Sequence, residues 1–526
     1  MFVLESMCMN VIIFGGFMKR VRFICVLLTV CLLTCTLAFA KNFEKVRTYD
    51  ARFTDVPANS WFAKNVAAVF EAELMEGVSE TQFDTESEMS VSQAITIAAR
   101  LHSIYNDKEI PEVSGGRWFQ KYVDYCLDNK IMAKDQFDSY SRSVLSYEMV
   151  ELFAAALPKE FYPAINKVTE IHDVPSSLDF ADDVLLFYNA GILNGNDSKG
   201  TFLPMSAITR KRAAVILSRT ALADQRITFS LDKAKASYSV DEVLYLVSMQ
   251  TVPETLDTMV LVSHENIGIT AAEYRYYSYI SGGDNTKTEG ELKNAVAAEK
   301  YIRGMNLSVS KEDYEAILVS YYAPRTSNYG NTSYFDTLDD LRLTDSAFAK
   351  LITLNKLSFL ALSKECADIS PDEVYAYAKN NDFICAKNLL ISSENEDGYR
   401  KALEIYLSLS DGKDFDELLE EFGEDAGMDE RKNGYIFTRG WMDATFEKTA
   451  YELKDGEISD IIETDEGYHI IKRVAFDKNI LASSPDYATV AGQAGAEKYT
   501  SGINALKSSI TLSYIDNFDG LSALLK

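Results

Sequence analysis

Residues 50–222 repeat themselves at a period near sixty, and this repeat constrains the fold more than any other feature. Phe53-Thr54-Asp55-Val56-Pro57 returns as Ile171-His172-Asp173-Val174-Pro175, 118 positions on. Trp61-Phe62 returns as Trp118-Phe119, 57 positions on. Each copy then carries apolar residues at helical spacing: Phe62, Val66 and Phe70, then Phe119, Val123 and Leu127, then Val184, Phe187 and Tyr188. A turn follows, then a phenylalanine (Phe83, Phe137, Phe202), then a second helix rich in Ala and Leu. The pattern predicts three helix pairs, at 41–108, 109–165 (degenerate) and 166–225.

The third copy is the most complete. Gly191 and Gly195 permit a tight helix exit, and Asn196–Gly200 forms a turn. Thr209 reads as a helix N-cap before Arg210 and the apolar positions Ala213, Ala214 and Leu217. These residues resemble the S-layer homology (SLH) module, which usually comes in threes. The resemblance implies attachment to the bacterial cell wall through a pyruvylated secondary cell-wall polysaccharide. It also implies a Thr-Arg contact pair at the start of the second helix, and here Thr209 and Arg210 keep that pair. A guanidinium suits a carboxylate-bearing ligand because it can form a bidentate, charge-assisted pair. The first copy has Val91-Ser92-Gln93 and the second Leu145-Ser146-Tyr147, so one intact site in three is expected. The competing reading of Arg210 is a plain surface arginine on a helical trimer.

The first forty residues read differently. Lys19, Arg20 and Arg22 precede the apolar run Phe23–Leu33, and Ala38-Phe39-Ala40 supplies small residues before a cut. That is the layout of a secretory signal peptide cleaved after Ala40, with Met18 a more natural start than Met1. The run is short for a bilayer span, so no transmembrane segment is expected in the mature chain. Thr34 before Cys35 fits a lipoprotein signal poorly. Cleavage leaves Cys126, Cys366 and Cys385, too few and too scattered for a disulfide framework. Nor do they form a metal site: there is no CxxC, and the four histidines are far apart. The formal charge of −27 argues against a nucleic-acid partner, which would need concentrated Lys and Arg.

Residues 235–380 read as mostly helical. Thr270 and Glu273 have the spacing of a capping box, and Tyr274, Tyr276, Tyr277 and Tyr279 crowd the helix behind it. A second helix covers Ser346–Ala367, Ser370-Pro371-Asp372-Glu373 starts another, and Asn328–Leu338 reads as a polar loop. Met259–Ile280 resembles the opening of the helical chaperone domain found before extracytoplasmic parvulins. The resemblance implies a cradle for unfolded client segments, while core packing is the alternative for any single tyrosine.

Residues 381–477 form a further unit. Strand Ile384–Ser392 leads to helix Gly398–Ser410, then Asp414–Phe422, an acidic loop at 423–427, helix Met442–Leu453, a turn at Asp455-Gly456 and strand Tyr468–Val474. The order predicts a small antiparallel sheet covered by helices. Asn433–Arg473 resembles the second half of a parvulin-type (PpiC-like) peptidyl-prolyl isomerase domain. Isomerising an X-Pro bond needs no nucleophile and no cofactor. The barrier of ~20 kcal/mol comes from amide resonance, and binding the twisted amide best is enough.

By resemblance, Met442 and Phe446, four apart on one predicted helix face, form the proline slot, and Phe437 completes its wall. His469 matches the C-terminal histidine of the family, and Asp425 falls where a Cys or Asp lies beside the amide. The first strand of the family typically reads Ala-x-His-Ile-Leu; here Asn388 replaces that histidine. The tail, 478–526, is expected to return onto the helical domain.

The fold expected is therefore multidomain and mainly α, with an α+β parvulin domain. The expected function is a secreted, wall-attached foldase at the bacterial surface, acting on nascent exported proteins that contain X-Pro bonds. The alternatives are a non-catalytic holdase that keeps the parvulin fold as a client-binding module, or a structural S-layer component.

Overall fold

The computed structural model describes residues 43–112, 115–233, 235–326 and 330–525; the expected export signal lies outside them. The chain is mainly helical with small antiparallel sheets. The repeats form three helix pairs: α1 (Ala63–Glu71) with α2 (Val91–Asn106), α3 (Gln120–Asp128) with α4 (Ser146–Ala156), and α5 (Ala181–Asn189) with α6 (Arg210–Ala221).

A ring of backbone bonds joins the pairs. Met89 N–H donates to Ile208 O (2.8 Å), Ile208 to Val144 O (3.2 Å) and Val144 to Met89 O (2.8 Å). Each second helix also takes its N-terminal cap from a neighbouring copy: the N–H groups of Val91, Ser146 and Arg210 donate to Arg142 O, Ser206 O and Ser87 O. The first N–H groups of a helix have no partner inside it, so each copy completes the next. The recurring aspartates are explained by the same logic. Asp55 accepts from the N–H groups of Phe83, Asp84 and Thr85, and the fully buried Asp173 accepts from those of Phe202 and Leu203.

The helical body contains α7 (Val240–Ser248), α8 (Ala271–Ile280), α9 (Asn285–Gly304), α10 (Lys311–Thr326), α11 (Gly330–Asp340), α12 (Asp345–Asp368) and α13 (Pro371–Asn380). The Thr270–Glu273 capping box forms, as does the one at Ser370–Glu373. One expectation fails. Residues 330–340 are α11, not loop, with Tyr334 and Leu338 buried against Ala272, Leu343 and Ala347. Polar residues dominate that stretch, and tertiary burial of these two side chains overrides the local bias. Ahead of the helix that Thr270 caps stands a hairpin of β2 (Val260–His264) and β3 (Ile267–Thr270), its turn at Glu265-Asn266. It follows β1 (Ser237–Ser239) and precedes β4 (Ser308–Ser310), which pair with each other.

The repeats and this body share one continuous core, which runs from Phe43 through Phe187 to Tyr322 and Ala361. Tyr322 donates its hydroxyl hydrogen to Asp173 O at 3.2 Å.

The isomerase-like unit is a four-stranded antiparallel sheet in the order β6 (Tyr435–Phe437), β5 (Ile384–Ser392), β8 (Gly467–Val474), β7 (Ile462–Thr464). Alternation along β5 sends Leu389 and Ile391 to one face, under α14 (Gly398–Ser410) and α15 (Phe415–Phe422). It sends Ile384, Ala386 and Asn388 to the other face, where α16 (Ala444–Glu452) packs. The tail helix α17 (Tyr487–Ser509) packs on α9, α12 and α13, and β9 (Ser513–Tyr514) adds to the β2–β3 hairpin. Among the described residues no helix is long and apolar enough to cross a membrane.

Candidate isomerase site and repeat grooves

On the α16 face of the sheet, five side chains from five segments form one polar chain. Register sets its centre: His469 on β8 pairs with Leu390, so Asn388 is its diagonal neighbour on the same face. His469 Nδ1 lies 3.0 Å from Asn388 Oδ1, and Asn388 Nδ2 donates to Asp425 Oδ2 at 2.7 Å. Asp425 Oδ1 accepts from the Tyr435 hydroxyl and the Gly427 N–H, each at 2.9 Å. At the other end His469 Nε2 meets Thr464 Oγ1 at 2.7 Å. A Cβ at Gly427 would collide with the Tyr435 hydroxyl, so a larger residue there would push that hydroxyl off Asp425. Burial pulls His469 below its usual pKa, opposed by Glu466, Asp425 and Asp443. Burial and the Asp425 carboxylate push the Tyr435 phenol up.

An apolar floor adjoins this chain. Phe446 lies edge-on to His469 with ring centroids 5.7 Å apart, and Phe437 lies 6.0 Å from Phe446. Phe437 and Phe446 are buried, whereas Met442 is half-buried at the rim. The expectation that Met442 and Phe446 share a helix face is corrected. Asp443 caps α16 by accepting from the N–H groups of Thr445 and Phe446, so Met442 sits in the preceding loop. An aspartate with free N–H groups two and three positions on stops the helix extending backwards.

Sequence reasoning therefore brought His469, Asn388, Asp425, Phe437, Phe446 and Met442 to one place, and missed Thr464 and Tyr435. Thr464 could have been found, because the Asp465-Glu466 turn folds β7 back beside His469. Tyr435 gave no local signal beyond being aromatic in a strand.

The repeat site comes out differently. Thr209 stands at the N-cap position of α6, but its hydroxyl makes no cap bond and is buried without a partner; Ser87 and Thr85 of the first copy cap the helix through their carbonyls. Arg210 is buried rather than on the surface. Its Nε donates to Phe83 O at 2.8 Å and its Nη2 to Glu76 O at 2.7 Å, so it fastens the third copy to the first. The N-caps also align Ser90-Val91, not Val91-Ser92, with Thr209-Arg210.

The open arginines lie further along α6. Arg212 and Arg219 line a cavity of about 320 Å³ between the first and third copies, together with Trp61, Asn194 and Asn196. Trp61 is 64% exposed, and among the described residues neither arginine has a carboxylate partner. Burial lowers the pKa of both guanidinium groups.

A four-stranded antiparallel sheet with a buried histidine relay beside an aromatic floor defines a parvulin-type isomerase domain, and residues 384–475 match the PPIC-type PPIase domain family. Residues 52–90 match the S-layer homology domain. Foldase protein PrsA 2 of Listeria innocua is 32% identical over 210 residues, covering 38% of this chain and 68% of that protein. Foldase protein PrsA of Bacillus subtilis is 35% identical over 91 residues, 17% of this chain and 30% of its own.

Among solved structures, PrsA from Bacillus subtilis is similar at 21% identity, covering 48% of this chain and 90% of that one with a TM-score of 0.19. The parvulin of Nitrosopumilus maritimus is 34% identical over 18% of this chain and 96% of its own, with a TM-score of 0.16. The chain belongs to the PrsA foldase family. It joins a peptidyl-prolyl isomerase domain to an S-layer homology domain and is an extracytoplasmic, cell-surface protein.

Proposed function

We propose that the chain is a secreted foldase held at the cell wall, which catalyses cis–trans isomerisation of X-Pro bonds in exported proteins as they fold. The observation that carries this reading is the contact between the polar relay and the aromatic floor at His469 and Phe446. Phe437, Phe446 and Met442 would grip the proline ring, and His469 would present its polar edge to the amide. No bond is made or broken except the partial double bond that rotates. The barrier falls to the extent that the site binds the twisted amide better than either planar form. The test is a prolyl isomerisation assay on the mature chain with Met442→Ala and His469→Ala. Catalysis that drops in both supports the reading. A folded chain no faster than buffer makes the protein a holdase, with the helical body as its client-binding part.

Attachment is supported by the groove that joins the first and third copies. Two half-buried guanidinium groups with no carboxylate partner among the described residues, in a chain of net charge −27, favour an anionic ligand. An exposed tryptophan beside them suits a sugar face. The ligand is accordingly a secondary cell-wall polysaccharide bearing carboxylates, met by Arg212, Arg219 and Trp61. Thr209 and Arg210 shape that groove by tying α6 to the first copy. Purified wall sacculi should retain the mature chain and release it after joint Arg212→Ala and Arg219→Ala; no retention of the unmutated chain would overturn this part.

A further inference from the structure

The hydrogen-bond order at the isomerase site follows from chemistry alone. A carboxylate such as Asp425 only accepts, so the group 2.7 Å from it must be the Asn388 NH₂. That fixes the amide and turns Asn388 Oδ1 toward His469 Nδ1, 3.0 Å away. An amide oxygen also only accepts, so His469 Nδ1 carries the proton. Nε2 is then free to accept the Thr464 hydroxyl hydrogen at 2.7 Å. The Asn388 and Asp425 contacts have one compatible direction each, whereas the Thr464 hydroxyl can donate to a bare Nε2 or accept from a protonated one, so the bonds fix the proton on Nδ1 and burial decides the charge. A histidine at position 388 would lift this constraint, since an imidazole nitrogen can donate or accept and the ring itself titrates.

The geometry points to Asn388 as a positioning residue that fixes the His469 proton on Nδ1, while burial of the ring keeps Nε2 bare and the isomerase site free from titration. This rests on the isomerase reading above and adds the reason why asparagine serves at this position. The charged groups facing His469 are Glu466 in the β7–β8 turn, Asp425 in the loop after α15 and Asp443 at the cap of α16. All three would favour the imidazolium. They are outweighed by burial, with the ring 2% exposed and Phe446 packed edge-on against it. Tyr435 on β6 reaches the ring only through Asp425. Asp425 is held by three donors, so the far end of the relay is fixed as well.

The test is nitrogen-15 NMR of the mature chain labelled at histidine. The sequence has four histidines, and His469 is assigned by the signal lost in His469→Gln. The expected result is an Nδ1-protonated, Nε2-bare ring that does not change between about pH 5 and 8, the range in which an ordinary histidine titrates. The isomerisation rate should vary by less than about twofold over the same range, because no essential acid or base changes state. Asn388→Leu should release the ring to the other tautomer. Asn388→His should bend the pH–rate profile while leaving the chain folded. An Nε2-protonated ring, or a protonation midpoint inside that range in the unmutated chain, would overturn the lock. The two readings fail separately. An inactive chain with a locked tautomer refutes the isomerase reading and keeps the lock, and an active chain with a titrating His469 sinks the lock alone.

Discussion

In the repeat trimer the positions of functional side chains are set by backbone bonds that cross from copy to copy. In the isomerase domain they are set by side chains of one compact sheet. Met89, Val144 and Ile208 close a ring in which each copy needs the other two, and the core beneath them continues into the helical body. The isomerase domain keeps separate cores on its two sheet faces and meets the tail through a third, around Cys385, Ile436 and Val490. Damage to the trimer should therefore spread into the helical body, and damage to the isomerase domain should stay local.

The sharpest way to break this contrast is a pair of large-to-small substitutions. Phe187→Ala in α5 and Phe446→Ala in α16 each remove a buried ring and should cost about 3–5 kcal/mol locally. Hydrogen exchange read by peptide should show Phe187→Ala loosening the repeats together with α10 and α12. Phe446→Ala should loosen only residues 384–475. Equal spread in both variants would abolish the distinction.

Arg210→Ala probes the seam between copies. It leaves the carbonyls of Phe83 and Glu76 without their donor, at about 1–3 kcal/mol each. The mature chain should melt earlier with isomerase activity intact. Met442→Ala should do the reverse. The side chain is half-buried at the rim, so the fold tolerates its loss, while a proline grip weakened by ~1.4 kcal/mol lowers kcat/KM about tenfold.

The same contrast explains what could be read in the sequence. Strand Ile384–Ser392 and helix Gly398–Ser410 agree with the structure to the residue, because period-two and period-3.6 patterns sit next to unambiguous turns. The histidine relay was largely legible, since one sheet face brings Asn388 and His469 together wherever β5 pairs with β8. The repeat groove was not. Whether Arg210 or Arg212 faces the open cavity depends on how the third copy docks against the first, and that contact spans more than 120 positions of chain. Local pattern likewise missed α11, whose burial comes from α8 and the start of α12.

The smallest effect distinguishes the two regions by sign. Burial holds His469 below its ordinary value of 6.5, so the unfolded chain binds a proton more readily there than the folded one. Its contribution to isomerase stability is complete above that value and is lost as pH falls through the lower folded pKa. In the trimer, burial and then Asp183, Glu148 and Asp179 push Glu151 from 4.5 up to about 7. Its contribution is complete below the unfolded value and is lost as pH rises through about 7. Between these limits a rising pH should tighten the isomerase domain and loosen the seam between the second and third copies. Hydrogen exchange at several pH values, corrected for intrinsic rates, separates the two trends. Glu151→Gln should flatten the trimer's slope and leave the other untouched; slopes of equal sign in the unmutated chain would show that other groups dominate.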